Sequence, residues 1–131
     1  MVYLVDDDID DLEIIQEAFV QYEYPGPMAT FHNGQALMDK LLADPGAKPH
    51  LILLDLHMPL KDGFETLHEI KTHPLIRTIP VIVLTGSESK EEELKCFQLG
   101  CNFFFNKPNS MQEYESIFTV VRKLTGTQQS S

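Results

Sequence analysis

Three carboxylates, a hydroxyl and an ammonium follow the apolar runs of this sequence. These side chains belong to Asp6, Asp7, Asp55, Thr85 and Lys107. Three neighbouring carboxylates repel one another and should recruit a cation. Mg²⁺ suits such a group, because it binds one or two carboxylates together with waters and a phosphate oxygen.

A carboxylate can also be the nucleophile that attacks phosphorus, which gives an aspartyl-phosphate. Phosphoryl transfer then needs mostly positioning and neutralisation of the charge on three equatorial oxygens. Mg²⁺, the Lys107 ammonium and the Thr85 hydroxyl would supply those partners. One reaction therefore accounts for every residue type in the set.

The run Leu51–Leu54, which Asp55 closes, is bounded by Pro49 and Pro59. A continuous apolar run of this kind predicts a strand that is buried on both faces in a parallel sheet. Because a carboxylate is costly to remove from water, Asp55 should lie at the C-terminal end of the strand and face solvent. Ligands bind at that edge of open α/β sheets. Taken alone, Asp55 is equally well interpreted as a loop aspartate that follows a core strand.

Five predicted strands alternate with five predicted helices. The strands are Val2–Val5, Met28–His32, Leu51–Leu54, Ile79–Leu84 and Asn102–Asn106. Strict alternation predicts an α/β fold with a five-stranded parallel sheet, doubly wound, with flavodoxin-like strand order 2-1-3-4-5. The chemistry-bearing side chains would then converge above strands one, three, four and five.

Two short patterns predict where the last helices begin. Ser89 with Glu92, and Ser110 with Glu113, have the spacing of a capping box. They would open the fourth and fifth helices. The acidic run 91–93 is interpreted as a solvated helix face.

Composition limits the class of protein. The 131 residues fit one domain, which we place at 1–125, followed by a polar tail at 126–131. No apolar stretch reaches the roughly 18 residues that a membrane helix needs. The net charge of −10 argues against a nucleic-acid surface. The two cysteines have neither metal nor disulfide spacing, so we expect both to be reduced thiols. Because no export signal precedes the first strand either, we expect a cytoplasmic protein.

Taken in order, the motifs resemble the receiver domains of two-component response regulators, over essentially the whole chain. The motifs are Asp6-Asp7, Asp55, Met58-Pro59 with Asp62-Gly63, Thr85, and Lys107-Pro108. The segment from His73 to Ser87 also resembles a subgroup of stand-alone receivers that includes partners of bacterial phytochrome-type kinases.

The resemblance implies a role for each acid of the predicted site. Asp55 would be the phospho-acceptor. Asp7 would bind Mg²⁺ directly and Asp6 mainly through water, while the backbone carbonyl of His57 would complete the protein's share of the coordination. The His57 side chain would affect dephosphorylation or, equally, be a solvated loop histidine.

The resemblance also implies which residues bind the phosphoryl group and which respond to it. Thr85 and Lys107 would bind its oxygens, and the Lys107-Pro108 peptide would be cis. Phe104 occupies the position of the family's aromatic switch residue, which would act with Thr85; a plain core phenylalanine is the alternative. The face made by the fourth helix, fifth strand and fifth helix would then carry the partner contact or a homodimer contact.

The leading hypothesis is a single-domain regulator that takes a phosphoryl group from a sensor histidine kinase or a histidine phosphotransfer protein. The regulator would act either as an intermediate of a phosphorelay or as a freely diffusing signal. It would have no DNA-binding domain and no activity beyond self-phosphorylation and slow autodephosphorylation. A phosphatase of the haloacid dehalogenase type is an alternative, but it needs a second aspartate where His57 stands. A receiver that only binds partners would be expected to have lost Asp55, the acidic pair or Lys107.

Overall fold

Short apolar runs form a five-stranded parallel sheet at the centre of the molecule. The strands are β1 Val2–Val5, β2 Met28–Phe31, β3 Leu51–Leu54, β4 Val81–Thr85 and β5 Phe103–Asn106. Their order is β2-β1-β3-β4-β5, as the alternation of elements predicts. Every residue of the three inner strands is buried, whereas the edge strands β2 and β5 are partly exposed.

The helices pack on both faces of this sheet. They are α1 Ile9–Gln21, α2 Gly34–Ala43, α3 Gly63–Thr72, α4 Lys90–Leu99 and α5 Tyr114–Thr125. One core lies under α2, α3 and α4, and the other lies under α1 and α5. The computed structural model describes residues 1–126, so the predicted tail lies outside the described residues except for Gly126. Within the described range, no helix is both long and apolar enough to cross a membrane.

Helix α4 is the least firmly packed of the five. Cys96 is its one buried residue, and its apolar residues Leu94 and Phe97 are exposed. By contrast, α1 and α5 each bury four side chains. Burial of apolar area is the main term that fixes a helix to a sheet. Helix α4 is therefore the element that can move at least cost.

The predicted start of α4 is confirmed, whereas that of α5 is wrong. Ser89 caps α4, its hydroxyl accepting a hydrogen bond from the backbone N–H of Glu92 at 3.2 Å. Ser110 makes no capping bond, and a 3₁₀ turn over Met111–Glu113 precedes α5. The Glu113 carboxylate instead accepts from the backbone N–H of Asn109 at 2.8 Å. That bond satisfies the N–H of Asn109, one residue before Ser110.

Candidate functional site

The register of the sheet brings two of the predicted acids side by side. Val5 pairs with Leu54 across β1 and β3, so Asp6 and Asp55 leave neighbouring strands at the same level. Carboxylate oxygens of Asp6, Asp7 and Asp55 all lie within 4.8 Å of one another. Asp6 and Asp55 are buried and Asp7 is exposed. Asp55 lies at the end of its strand as predicted, but the expectation that it faces solvent is wrong. The predicted cluster of carboxylates therefore forms.

Backbone hydrogen bonds hold both buried acids in place. The N–H of Asp55 donates to the carbonyl of Val5 at 2.9 Å, and its own Oδ1 accepts from the N–H of Leu56 at 2.9 Å. Oδ1 of Asp6 accepts from the N–H of Asp8 at 3.0 Å. The second oxygen of Asp55, Oδ2, accepts no bond from these backbone groups and lies toward Lys107.

Lys107 supplies the positive charge of the cluster. Its Nζ lies 2.6 Å from Oδ2 of Asp11, 2.8 Å from Oδ2 of Asp6 and 3.7 Å from Oδ2 of Asp55. The Lys107 N–H donates to the carbonyl of Thr85 at 2.8 Å, which ties the lysine to the end of β4. Burial is the largest single effect and lowers the pKa of Lys107, but the bonds to Asp11 and Asp6 and the charges of Asp55 and Asp6 together outweigh it, so the pKa of the ammonium is raised.

The acids fit a divalent cation. Burial raises the pKa of the Asp6 carboxyl to about 6, and the negative charge of Asp55 adds to this, against the lowering by Lys107. One ammonium thus faces more carboxylates than it can neutralise. Oxygen ligands that are clustered and partly open to solvent are those that Mg²⁺ takes in proteins.

Thr85 is fully buried at the end of β4, where it pairs with Asn106 of β5. Its Oγ1 accepts a hydrogen bond from the N–H of Ser87 at 3.3 Å. The Asn106 side-chain amide donates to the carbonyl of Ser87. Ser87 therefore connects the Thr85 hydroxyl at the end of β4 to Asn106 of β5, the strand that leads into Lys107.

Gly63 allows the chain to return close to Asp55. Its N–H donates to the carbonyl of Leu56 at 2.8 Å. A Cβ at this position would lie 2.3 Å from the carbonyl oxygen of Asp55 and 2.6 Å from Cα of Leu56. The glycine in the Asp62-Gly63 motif is therefore required by close approach of the backbone to the Asp55 loop.

The acidic run of α4 is not uniformly solvated, so its interpretation as a solvated face is wrong at Glu92. The Glu92 side chain is about one quarter exposed, and its Oε1 lies 3.2 Å from Nε2 of His57. The same oxygen accepts a hydrogen bond from the Ser87 hydroxyl. That bond, with a smaller contribution from His57, lowers the pKa of Glu92 against the effect of burial.

Phe104 is half-buried and packs against the core under α2, α3 and α4. It pairs with Val83, two residues before Thr85 on the neighbouring strand. Because side chains alternate along a strand, Thr85 and Phe104 share one face of the sheet. Phe103 and Phe105 lie on the other face, where their rings stack with centroids 6.4 Å apart.

Two residues of the site escape detection from the sequence. Asp11 reaches Lys107 from the first turn of α1, and Glu92 reaches His57 from the first turn of α4. In each case acids at a helix start already have a sufficient explanation in the macrodipole. The expectation of a cis Lys107-Pro108 peptide is wrong, because no peptide bond among the described residues is cis.

Comparisons with known proteins show the family of the chain. The family model of the response regulator receiver domain matches residues 2–119. The response regulator Rcp1 of Synechocystis is 32% identical over 117 residues, which cover 86% of this chain and 80% of Rcp1.

Solved structures give the same result. The phosphorylated cyanobacterial phytochrome response regulator RcpA aligns with a TM-score of 0.83 and 31% identity, covering 99% of this chain and 97% of that one. The Mn²⁺-bound form of Rcp1 aligns with a TM-score of 0.82 and 28% identity, covering 99% and 98%. The family model spans most of the chain and the fold is shared with these structures, so the chain belongs to the response regulator receiver domain family.

Proposed function

We propose that Asp55 accepts a phosphoryl group from the phosphohistidine of a sensor histidine kinase or a histidine phosphotransfer protein. The observation that carries this is the position of Asp55 Oδ2, beside two further carboxylates and 3.7 Å from the Lys107 ammonium. The family to which the chain belongs works with histidine kinases. Its similarity to regulators of phytochrome kinases supports a kinase of that type as the donor.

In the proposed reaction a carboxylate oxygen of Asp55 bonds to phosphorus. The bond from phosphorus to the donor imidazole breaks, its electron pair stays on that nitrogen, and solvent returns a proton there. Lys107 and the Thr85 hydroxyl bind the equatorial oxygens of the phosphoryl group as their charge develops. The side chain of Lys107 has only to turn from Asp11 toward Asp55, since it already lies between them.

We propose Mg²⁺ as the cofactor, held by Asp6, Asp7, Asp55 and the backbone carbonyl of His57. When bound, the ion neutralises charge on the carboxylates and on the phosphoryl oxygens. The clustered carboxylate oxygens support this assignment, as does the raised pKa of Asp6. The solved structure of Rcp1 contains Mn²⁺, another divalent cation that prefers oxygen ligands.

We propose that the signal leaves through the face of α4, β5 and α5. If the Thr85 hydroxyl moves toward a phosphoryl group, space opens on its face of the sheet, and Phe104 is the diagonal neighbour that can fill it. Exposed apolar residues mark this surface, namely Leu94 and Phe97 on α4 and Phe103 on β5. A partner protein or a second copy of the chain would bind there.

We further propose that the chain acts on no metabolite and that its chemistry is self-phosphorylation followed by slow hydrolysis. A phosphatase of the haloacid dehalogenase type would need an acid two residues after Asp55, where His57 stands. Turnover of a small phosphomonoester would favour that phosphatase alternative. We place the protein in the cytoplasm, which the two free thiols of Cys96 and Cys101 support.

The deciding experiment is incubation with acetyl phosphate and Mg²⁺, followed by measurement of the intact mass. Wild type should gain one phosphate, and Asp55→Asn should gain none. Asp10→Asn, which changes an exposed acid at the start of α1, is the control and should be labelled like wild type. Undiminished labelling of Asp55→Asn would contradict the assignment. Undiminished labelling in excess chelator would remove the metal from the proposal.

A further inference from the structure

One carboxylate oxygen connects the two loops that flank the acceptor. Oε1 of Glu92 lies 3.2 Å from Nε2 of His57, which is two residues after Asp55. The same oxygen accepts from the hydroxyl of Ser87, which is two residues after Thr85. Glu92 therefore contacts the loop after β3 and the loop after β4 at once.

The side chain of Glu92 is diverted from its usual place at a helix start. In a capping box, the glutamate returns to the backbone N–H of the capping serine. Here the N–H of Ser89 donates to the hydroxyl of Ser87 at 3.3 Å, and the Glu92 carboxylate binds the loops instead. The Ser89 hydroxyl still caps α4, so the diversion leaves the start of the helix intact.

A contact with Phe64 of α3 also keeps the ring of His57 beside α4. Its ring meets Phe64 edge to face, with centroids 6.5 Å apart. Nζ of Lys95, one turn along α4 from Glu92, lies 4.2 Å from the centroid of the Phe64 ring. The imidazole of His57 thus lies between α3 and the first turns of α4.

We infer that Glu92 is a positioning residue that prolongs the lifetime of the aspartyl-phosphate by holding the His57 ring. The inference rests on the proposed function. A carboxylate can only accept, so Nε2 of His57 carries the hydrogen and donates to Glu92. That nitrogen can then neither align a water molecule nor take a proton from it.

Hydrolysis of the phosphorylated protein is the step that this contact slows. A water oxygen bonds to phosphorus, the bond from phosphorus to the Asp55 oxygen breaks, and its electron pair returns to the carboxylate. The water gives up a proton, and the imidazole of His57, two residues after Asp55, is a suitable acceptor only when its ring is free to turn toward the attacking water.

The test is the lifetime of the phosphorylated protein after the small donor has been removed by desalting, followed by intact mass. Glu92→Ala should shorten the lifetime about fivefold, the factor expected for the loss of one hydrogen bond. Glu92→Gln should stay close to wild type, because its amide oxygen still accepts. Glu91→Ala removes the same charge from an exposed position in the same turn and should change nothing.

A double-mutant cycle decides whether Glu92 acts through His57. In a His57→Ala background, Glu92→Ala should shorten the lifetime no further. An undiminished effect in that background, or equal lifetimes for Glu92→Ala and wild type, would overturn the inference. A lifetime for Glu92→Gln equal to that of Glu92→Ala would do the same. Failure of wild type to take up phosphate would instead overturn the proposed function beneath it.

Discussion

The Lys107 ammonium lies closer to Asp11, at 2.6 Å, than to the proposed acceptor Asp55, at 3.7 Å. The first turn of α1 therefore holds the lysine beside the acids. Its ion pair with the buried Asp6 is the contact on which stability should depend most, because Asp6 is almost fully removed from water.

Lys107→Ala should destabilise the metal-free protein. The change leaves the Asp6 carboxylate buried without its cation. We expect a loss of about 2 kcal/mol, less than for a fully buried pair because Lys107 is partly exposed. Urea unfolding at neutral pH measures it, with Lys90→Ala as control, since Lys90 is 92% exposed in its pair with Glu93. Equal unfolding midpoints for the two variants would contradict this prediction.

Mg²⁺ should stabilise the protein against heat. A ligand that binds only the folded state at about 100 times its Kd adds about 2.7 kcal/mol. Thermal melts with Mg²⁺ and with chelator measure the shift. Asp7→Ala should abolish most of it, whereas Asp10→Asn, outside the cluster, should retain it. A shift that survives in Asp7→Ala would place the ion elsewhere.

Gly63→Ala should be far more damaging than Gly86→Ala. A Cβ at Gly63 would meet the backbone of Asp55 and Leu56, which cannot move aside as a flexible side chain can. Apart from Gly86 itself and its two chain neighbours, no atom of the described residues lies within 4 Å of a Cβ at Gly86. We expect a loss of about 3 kcal/mol at Gly63, the upper range for overpacking, and less than about 0.5 kcal/mol at Gly86. Comparable midpoints in urea would refute the close approach.

Stability should fall as the pH rises above about 9. Burial raises the pKa of the Cys96 thiol to about 12 and that of Cys101 to about 11, from 9.0. Between pH 9 and these values the folded state holds protons that the unfolded state has released, so unfolding is favoured as pH increases. Urea unfolding at pH 8 and pH 10 measures the fall, which should be smaller in Cys96→Ala/Cys101→Ala. An equal fall in that variant would assign the effect to other groups.

Phosphorylation should change the face of α4, β5 and α5. Amide hydrogen exchange with and without beryllofluoride, a phosphoryl mimic, should differ within the segment from Glu91 to Val121. Phe104→Ala should weaken that change while leaving the loop around Asp55 responsive. If exchange changes only around Asp55, the proposed route of the signal is wrong.

The fold and most of the site are predictable from the sequence because they depend on local patterns. The apolar runs specify strands, and the acids and the lysine that directly follow three of these runs must lie at one edge of a parallel sheet. Asp11 and Glu92 are different, since their partners are distant in sequence and their position at helix starts is explained without any partner. The capping-box pattern does not predict the 3₁₀ turn before α5, because Glu113 accepts from the N–H of Asn109, one residue earlier than that pattern requires.

The shallow burial of α4 also affects how this protein can evolve. With Cys96 as its one buried residue, the helix contributes little to the free energy of folding through its other positions. Substitutions at exposed sites such as Leu94 and Phe97 should cost less than about 0.5 kcal/mol each. If α4 carries the proposed partner contact, selection can alter which molecule this helix recognises while the sheet, the acids and Lys107 stay unchanged.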